Sequence, residues 1–171
     1  MSGLTPFLQT ELLSLSSEAR RKHPEIKEAA ERLSAILRSF KERPGYNIAN
    51  ELSKSEDALR PFVLACETKQ VKLVTIAIGC IQKLISFHAI PETSVRTILR
   101  KLTDISVHGV EIQLKILQTV LPLLTNYRSV HDDVLAEVKQ DFFDVIYKDD
   151  WEREGERIYL WIGFFLLLIR K

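Results

Sequence analysis

Glycine is scarce in this chain, six residues scattered through 171, and none falls in a GxxxxGK[ST] or GxGxxG arrangement. Without such a loop, successive backbone N–H groups cannot close around a phosphate, which removes the common nucleotide-hydrolysis and dinucleotide-binding sites. No GxSxG elbow lifts a serine into a nucleophile's position. Histidine is as thin. His23, His88, His108 and His131 stand at least 20 residues apart, and none belongs to an HExxH or CxxC-type zinc signature. The only two cysteines, Cys66 and Cys80, lie inside apolar segments and read as buried thiols of a reducing compartment. A metal site assembled from Cys66, Cys80 and His88 is the alternative, and burial is the stronger reading. The acidic pairs Asp132-Asp133 and Asp149-Asp150 do not suit acid–base work, because adjacent helical residues point roughly 100° apart and are usually solvated. The sequence therefore offers no catalytic, cofactor-binding or metal-ligating residues, and the expectation is a protein that is not an enzyme.

Excess charge is missing too. Lys and Arg number 24 against 23 Asp and Glu, so there is no global field to hold nucleic acid through counterion release. Met1-Ser2-Gly3-Leu4-Thr5-Pro6 lacks the basic region and apolar run of a secretory signal. Gly3 is misplaced for myristoylation, and Ile169-Arg170-Lys171 has no prenylation cysteine. A cytoplasmic chain is expected.

What the chain does have is core material: 46% of its residues are apolar, and a chain of this size buries roughly two-thirds of its unfolded surface. Thr5 as N-cap with Pro6 in first helical position predicts a helix running to about Lys22. His23-Pro24 interrupts it, and a second helix carries Ile26, Ala29, Ala30, Leu33, Ile36, Leu37 and Phe40 at 3/4 spacing. Arg43-Pro44-Gly45 marks a turn, and the polar stretch Asn47 to Asp57 reads as a long connection. A short helix is expected over Glu56 to Glu67, with Pro61 near its start or kinking it.

Two segments are apolar around most of the helical wheel, Val71 to Phe87 and Ile112 to Leu124. Ile81 and Leu117 are taken as core positions within them. Each follows a more amphipathic helix, the second of these carrying Val95, Ile98, Leu99, Leu102 and Ile105 up to His108-Gly109. A further helix is expected near Ser129. This spacing suggests helix pairs of about 40 residues stacked as in armadillo or HEAT arrays, although the same faces could close a globular helical bundle. Both are all-α. Polar residues embedded in the two apolar helices, Gln82 and Lys83 in the first and Gln113, Lys115 and Gln118 in the second, form narrow strips that suit either a recognition surface or a plain solvated face.

Three ordered blocks, Arg60-Pro61-Phe62-Val63-Leu64-Ala65-Cys66-Glu67-Thr68-Lys69, Ala77-Ile78-Gly79-Cys80-Ile81-Gln82-Lys83-Leu84-Ile85-Ser86 and Gln113-Leu114-Lys115-Ile116-Leu117-Gln118-Thr119, carry a resemblance. Together they resemble the N-terminal DCB (dimerisation and cyclophilin-binding) domain of the large Arf guanine-nucleotide exchange factor superfamily, and within it the Golgi monensin-sensitivity branch. The likeness covers about residues 5 to 138. It implies an armadillo-like helical α-solenoid, cytoplasmic and peripheral on Golgi, trans-Golgi network and endosome membranes. Its implied uses are homodimerisation, contact with a HUS domain and binding of Arf/Arl-family small GTPases or adaptor proteins. The family's exchange domain is a separate module, so no exchange activity is expected of this segment.

The family signature residues, carried onto this chain as partner-binding or fold positions, are Pro61, Phe62, Ala65, Cys66, Lys69, Gln82, Lys83, Gln113, Lys115 and Gln118. On this reading residues 1–138 are the DCB-like domain and 139–171 a divergent helical tail packed on it. In that tail Ile158 to Ile169 is an uncharged run of twelve residues, about 18 Å as a helix against roughly 30 Å of bilayer hydrocarbon, so it is too short to span. A core helix, a dimer contact or a peripheral membrane attachment through this run are the readings left for it.

Overall fold

A computed structural model describes residues 3–41 and 47–127, with positions 136 and 140 besides. Among these residues there are seven α-helices and no strand. They are α1 (Leu4–Ala19), α2 (Pro24–Lys41), α3 (Ile48–Leu52), α4 (Arg60–Cys66), α5 (Val71–Ser86), α6 (Val95–Asp104) and α7 (Val110–Asn126). Short 3-10 turns at Glu56–Ala58, Glu92–Ser94 and Ile105–Val107 tighten three connections.

Helix α1 starts at Leu4 with Gly3 at its N-cap, earlier than the Thr5 cap expected. Thr5 and Pro6 both fall in the first turn, where proline's missing N–H has no intrahelical partner to lose. Leu4, Leu8, Leu12, Leu15 and Ala19 form its buried stripe. The helix ends at Ala19 instead of Lys22: Arg20 takes φ 29°, and the N–H groups of Lys22 and His23 both donate to the Ala19 carbonyl, each at 3.1 Å. Pro24 then opens α2.

The polar stretch read as a long connection is folded. Asn47 caps α3, its side-chain oxygen accepting from the N–H groups of Ala49 (3.1 Å) and Asn50 (3.4 Å), and Leu52 is buried in the core. Five residues with one buried leucine are too few to display a 3.6-residue period. In α4, Pro61 sits in the first turn and kinks nothing.

Helix α1 packs against α2 and α5, α2 against α4, α4 against α5 and α6, and α7 against α5 and α6. Six of the seven helices thus lie in two rows, α1–α5–α7 and α2–α4–α6, joined across by the pairs α1–α2, α4–α5 and α6–α7. Helix α5 is at the centre, with Leu73, Val74, Ala77, Ile78, Cys80, Ile81, Leu84 and Ile85 all buried.

Its C-terminus is closed by paired hydrogen bonds, His88 N–H to the Ile85 carbonyl (3.0 Å) and Ala89 N–H to the Leu84 carbonyl (2.9 Å). This is the Schellman arrangement, which requires a left-handed residue, and His88 at φ 52° supplies it where glycine is usual. The His88 ring lies 6.3 Å from that of Tyr127, whose hydroxyl accepts the Ile90 N–H at 3.3 Å. The connection after α5 is thereby tied to the end of α7.

Helix α7 is less enclosed than its composition suggests. Ile112, Ile116, Val120 and Leu123 are buried, but Leu117 is half-buried and Leu114 and Leu121 are exposed. The expected turn Arg43-Pro44-Gly45, the helix near Ser129 and the run Ile158 to Ile169 lie outside the described residues.

Ile81 is 1% exposed, so Ile81→Asp places an unpaired charge in the core and costs several kcal/mol, about 3–5, out of a stability of about 5–15. Loss of the cooperative thermal transition is expected. Leu117→Asp, at a half-buried position, is expected to leave a folded chain with a lowered midpoint; equal melting of the two variants would contradict the assigned burial.

Candidate functional site

The ten signature residues separate into three groups. Pro61, Phe62, Ala65 and Cys66 are buried in α4, out of a partner's reach while the domain is closed. Lys69 is exposed in the α4–α5 turn. The remaining five are distributed over α5 and α7, and they do not form one surface.

Gln82 and the main chain of Lys115 are brought together. The Gln82 side-chain amide donates to the Lys115 carbonyl at 3.1 Å, and the Thr119 hydroxyl donates to the same oxygen at 2.6 Å. Gln82 thus links α5 to α7 while remaining half-buried. Gln113 is on another flank of α7, 2% exposed, and its amide donates to the Ser106 carbonyl at 2.8 Å. It closes the α6–α7 turn. Gln118 is exposed on the outer face of α7, one turn from each of the exposed Leu114 and Leu121.

The least buried stripe of α5 consists of Lys72, Thr75, Ile76, Gly79, Gln82, Lys83 and Ser86, running between α1 and α7. Lys83 holds its ammonium 5.4 Å from the ring centroids of both Phe7 on α1 and Phe87 at the end of α5. Cations are attracted to the negative faces of such rings. Among the described residues no carboxylate pairs with Lys83 or Lys115.

Of this stripe only Gln82 and Lys83 were singled out from the sequence; Gly79 within it and Phe7 beside it on α1 were not. Gly79 was legible in principle: glycine inside a helix costs about 1 kcal/mol relative to alanine, so a mid-helix glycine asks for a reason. Packing does not give one, since a Cβ added at Gly79 would meet nothing within 4 Å. Phe7 had no local signal, because only the α1–α5 contact brings it to Lys83.

Chemistry of other kinds has little to work with. Among the described residues no three His, Cys, Asp or Glu side chains converge as metal ligands. His23 is held between the Gln70 amide (3.0 Å at Nε2) and the Glu25 carboxylate (3.4 Å at Nδ1). Lys101 pairs with Glu67 at 2.9 Å and Asp104 at 3.6 Å, and its pKa is raised chiefly by the hydrogen bond to Glu67. Burial pushes the Cys66 thiol up to about 12 and raises Cys80 as well, so neither is a nucleophile in the folded chain. No helix of the described residues is long and apolar enough to cross a membrane.

Residues 1–149 match the family model described as DCB, the Mon2/Sec7/BIG1-like dimerisation and cyclophilin-binding domain. The chain belongs to the DCB family. The match runs past Val138, where the sequence likeness was taken to end. This DCB chain is 34% identical over 130 residues to the protein MON2 homolog of Homo sapiens, covering 76% of this chain and 8% of that protein. Identity is 33% over 130 residues to the Xenopus laevis homolog, with the same two coverages. Protein MON2 of Saccharomyces cerevisiae is 35% identical over 113 residues, which is 66% of this chain and 6% of the yeast protein. The chain thus spans less than a tenth of the length of these relatives. No solved structure matches it.

Gln113→Ala leaves the buried Ser106 carbonyl without its partner and is expected to lower stability by about 1–3 kcal/mol; Gln118→Ala, on the outer face, is expected to stay within about 0.5 kcal/mol. Urea unfolding of both variants checks the contrast, and equal midpoints would remove Gln113 from the fold's requirements.

The thiols give a second test. Cys66 keeps its proton in the folded chain to a higher pH than in the unfolded one, so this contribution is complete below pH 9 and lost as pH rises toward about 12. At pH 8 a disulfide thiol reagent is expected to label neither cysteine until denaturant is added. Rapid native labelling would refute the burial.

Proposed function

We propose that this DCB chain is a non-catalytic scaffold module of a Golgi and endosome membrane-trafficking regulator. In this reading it self-associates, contacts a HUS domain, and binds an Arf/Arl-type GTPase or an adaptor protein from the cytoplasmic side. Family membership supports the setting, and the two-row helix arrangement supports an armadillo-like stack. Residues 139–171 are proposed to pack on the same domain. Peripheral membrane attachment through Ile158 to Ile169 is the second reading, motivated by that run's unbroken apolar character.

The observation that carries the binding function is the open stripe of α5. It combines an aromatic-flanked lysine and a glycine, for which the described residues supply neither a carboxylate partner nor a packing requirement, with a half-buried Ile76. A partner's main chain can approach Gly79 more closely than a residue with a Cβ would permit. Lys83 then offers a charge-assisted hydrogen bond to an acidic group, strengthened as the partner excludes water. Lys115 and Gln82 border the same surface.

Capture of purified Arf-family GTPases by the full chain tests this directly. Preference for the GTP-bound over the GDP-bound form is expected, with a loss of at least about tenfold in affinity, about 1.4 kcal/mol, for Lys83→Glu and for Gly79→Arg. Both variants should keep the helical circular dichroism spectrum. Absence of nucleotide-dependent capture by any member of the GTPase panel would refute the GTPase reading, and undiminished capture by both variants would move the site off α5.

A further inference from the structure

The α1–α2 and α4–α5 turns lie side by side. His23 reaches the Gln70 side chain at 3.0 Å, and Lys72 pairs with Glu18 at 3.8 Å. The Lys101–Glu67 pair, at 2.9 Å, brings the C-terminal end of α6 to the same edge, and the α6–α7 turn follows directly. One edge of the molecule is therefore made of three turns.

Within residues 18–25 and 67–72 this edge carries Arg20, Arg21, Lys22, Lys69 and Lys72 against three carboxylates, Glu18, Glu25 and Glu67, and the end of α6 adds Lys101 and Asp104, which pair with each other. The five turn cations are exposed. Glu18 is engaged by Lys72 and Glu25 faces His23, while Arg20, Arg21, Lys22 and Lys69 have no carboxylate partner among the described residues. Over the whole chain the formal net charge is only +1, so this concentration is local. Two exposed apolar side chains flank it: Val71, 50% exposed at the start of α5, and Val107, 63% exposed in the α6–α7 turn.

Cations beside protruding apolar side chains match the two components of an anionic bilayer surface, headgroup charge outside and acyl carbon beneath it. A nucleic acid would use the cations but gain nothing from the valines. We propose that this three-turn edge is a membrane-contact surface selective for anionic lipid, with Arg20, Arg21, Lys22 and Lys69 supplying the electrostatic contact and Val71 and Val107 inserting at the headgroup boundary. It does not depend on the GTPase reading, because it uses neither Gly79 and Lys83 nor a protein partner. It also differs from attachment through Ile158 to Ile169, which would be apolar and indifferent to lipid charge.

The full chain should co-sediment with phosphatidylcholine vesicles containing phosphatidylserine, and much less with phosphatidylcholine alone. Binding should fall steeply between about 0.15 M and about 1 M salt, as the Debye length shrinks from about 8 Å to about 3 Å. A basic residue near such a surface contributes about fivefold in partitioning, so replacing Arg20, Arg21 and Lys22 together by glutamate should weaken it by at least about 100-fold. Lys22→Glu with Lys69→Glu is the milder variant should the triple substitution disturb the turn, and Val71→Ser with Val107→Ser should give a smaller loss that persists at high salt. Salt-insensitive binding to neutral vesicles, unchanged binding by the charge variants, no binding to either vesicle, or equal retention on a short DNA duplex would each overturn the proposal.

Discussion

Enclosure of α5 is the constraint from which the rest of the structure follows. Its apolar residues cover most of the helical wheel, so neighbours must be found on nearly every side, and α1, α4 and α7 supply them. A helix touched by one partner would leave most of that surface in water, at roughly 25 cal/mol for each Å² exposed. Three partners require two rows, because α1 and α7 flank α5 in one row while α4 lies behind it in the other. Helices α2 and α6 are then fixed indirectly, each by its pair and by α4.

This geometry also decides which residues line the stripe proposed for binding. The one stripe of α5 left partly open runs between α1 and α7, so residues distant in sequence border it: Phe7, Gly79, Lys83 and Lys115. It is the place where a helix that belongs in the core nonetheless meets solvent. The turn edge is of a different kind. Short turns there leave backbone and long basic side chains outside the packed rows, where charge is tolerated because it stays hydrated.

The all-helical class and most of the core were legible because 3.6-residue periods extend over many turns in α1, α2, α5 and α6. What could not be read has identifiable causes. Helix α3 is too short to show a period, and the Asn47 cap competes with an equally good turn reading. Leu117 was placed in the core because composition reports apolar character but not the number of neighbouring helices, and among the described residues α7 has fewer than α5. Of the ten signature positions, the buried four in α4 and the Gln113 lock are read most simply as fold positions, which a family resemblance cannot distinguish from binding positions. Lys83 was singled out from the sequence without its Phe7 neighbour, since that contact is tertiary.

Gly79 and His88 show the same helix accepting local cost for two different reasons. At His88 a left-handed backbone costs a residue with a Cβ roughly 1–2 kcal/mol, and the structure supplies a visible return: the Schellman bonds are made and the imidazole lies against Tyr127, joining the end of α5 to the end of α7. Glycine would satisfy the turn but lose the ring contact. At Gly79 the cost is of similar size and the described residues show no return, because a Cβ there would meet nothing within 4 Å. Two anomalies on one helix thus part company on a single question, whether the chain itself benefits. Where it does, the residue belongs to the fold; where the described residues draw no benefit, the position suits the proposed approach of a partner to the α5 stripe.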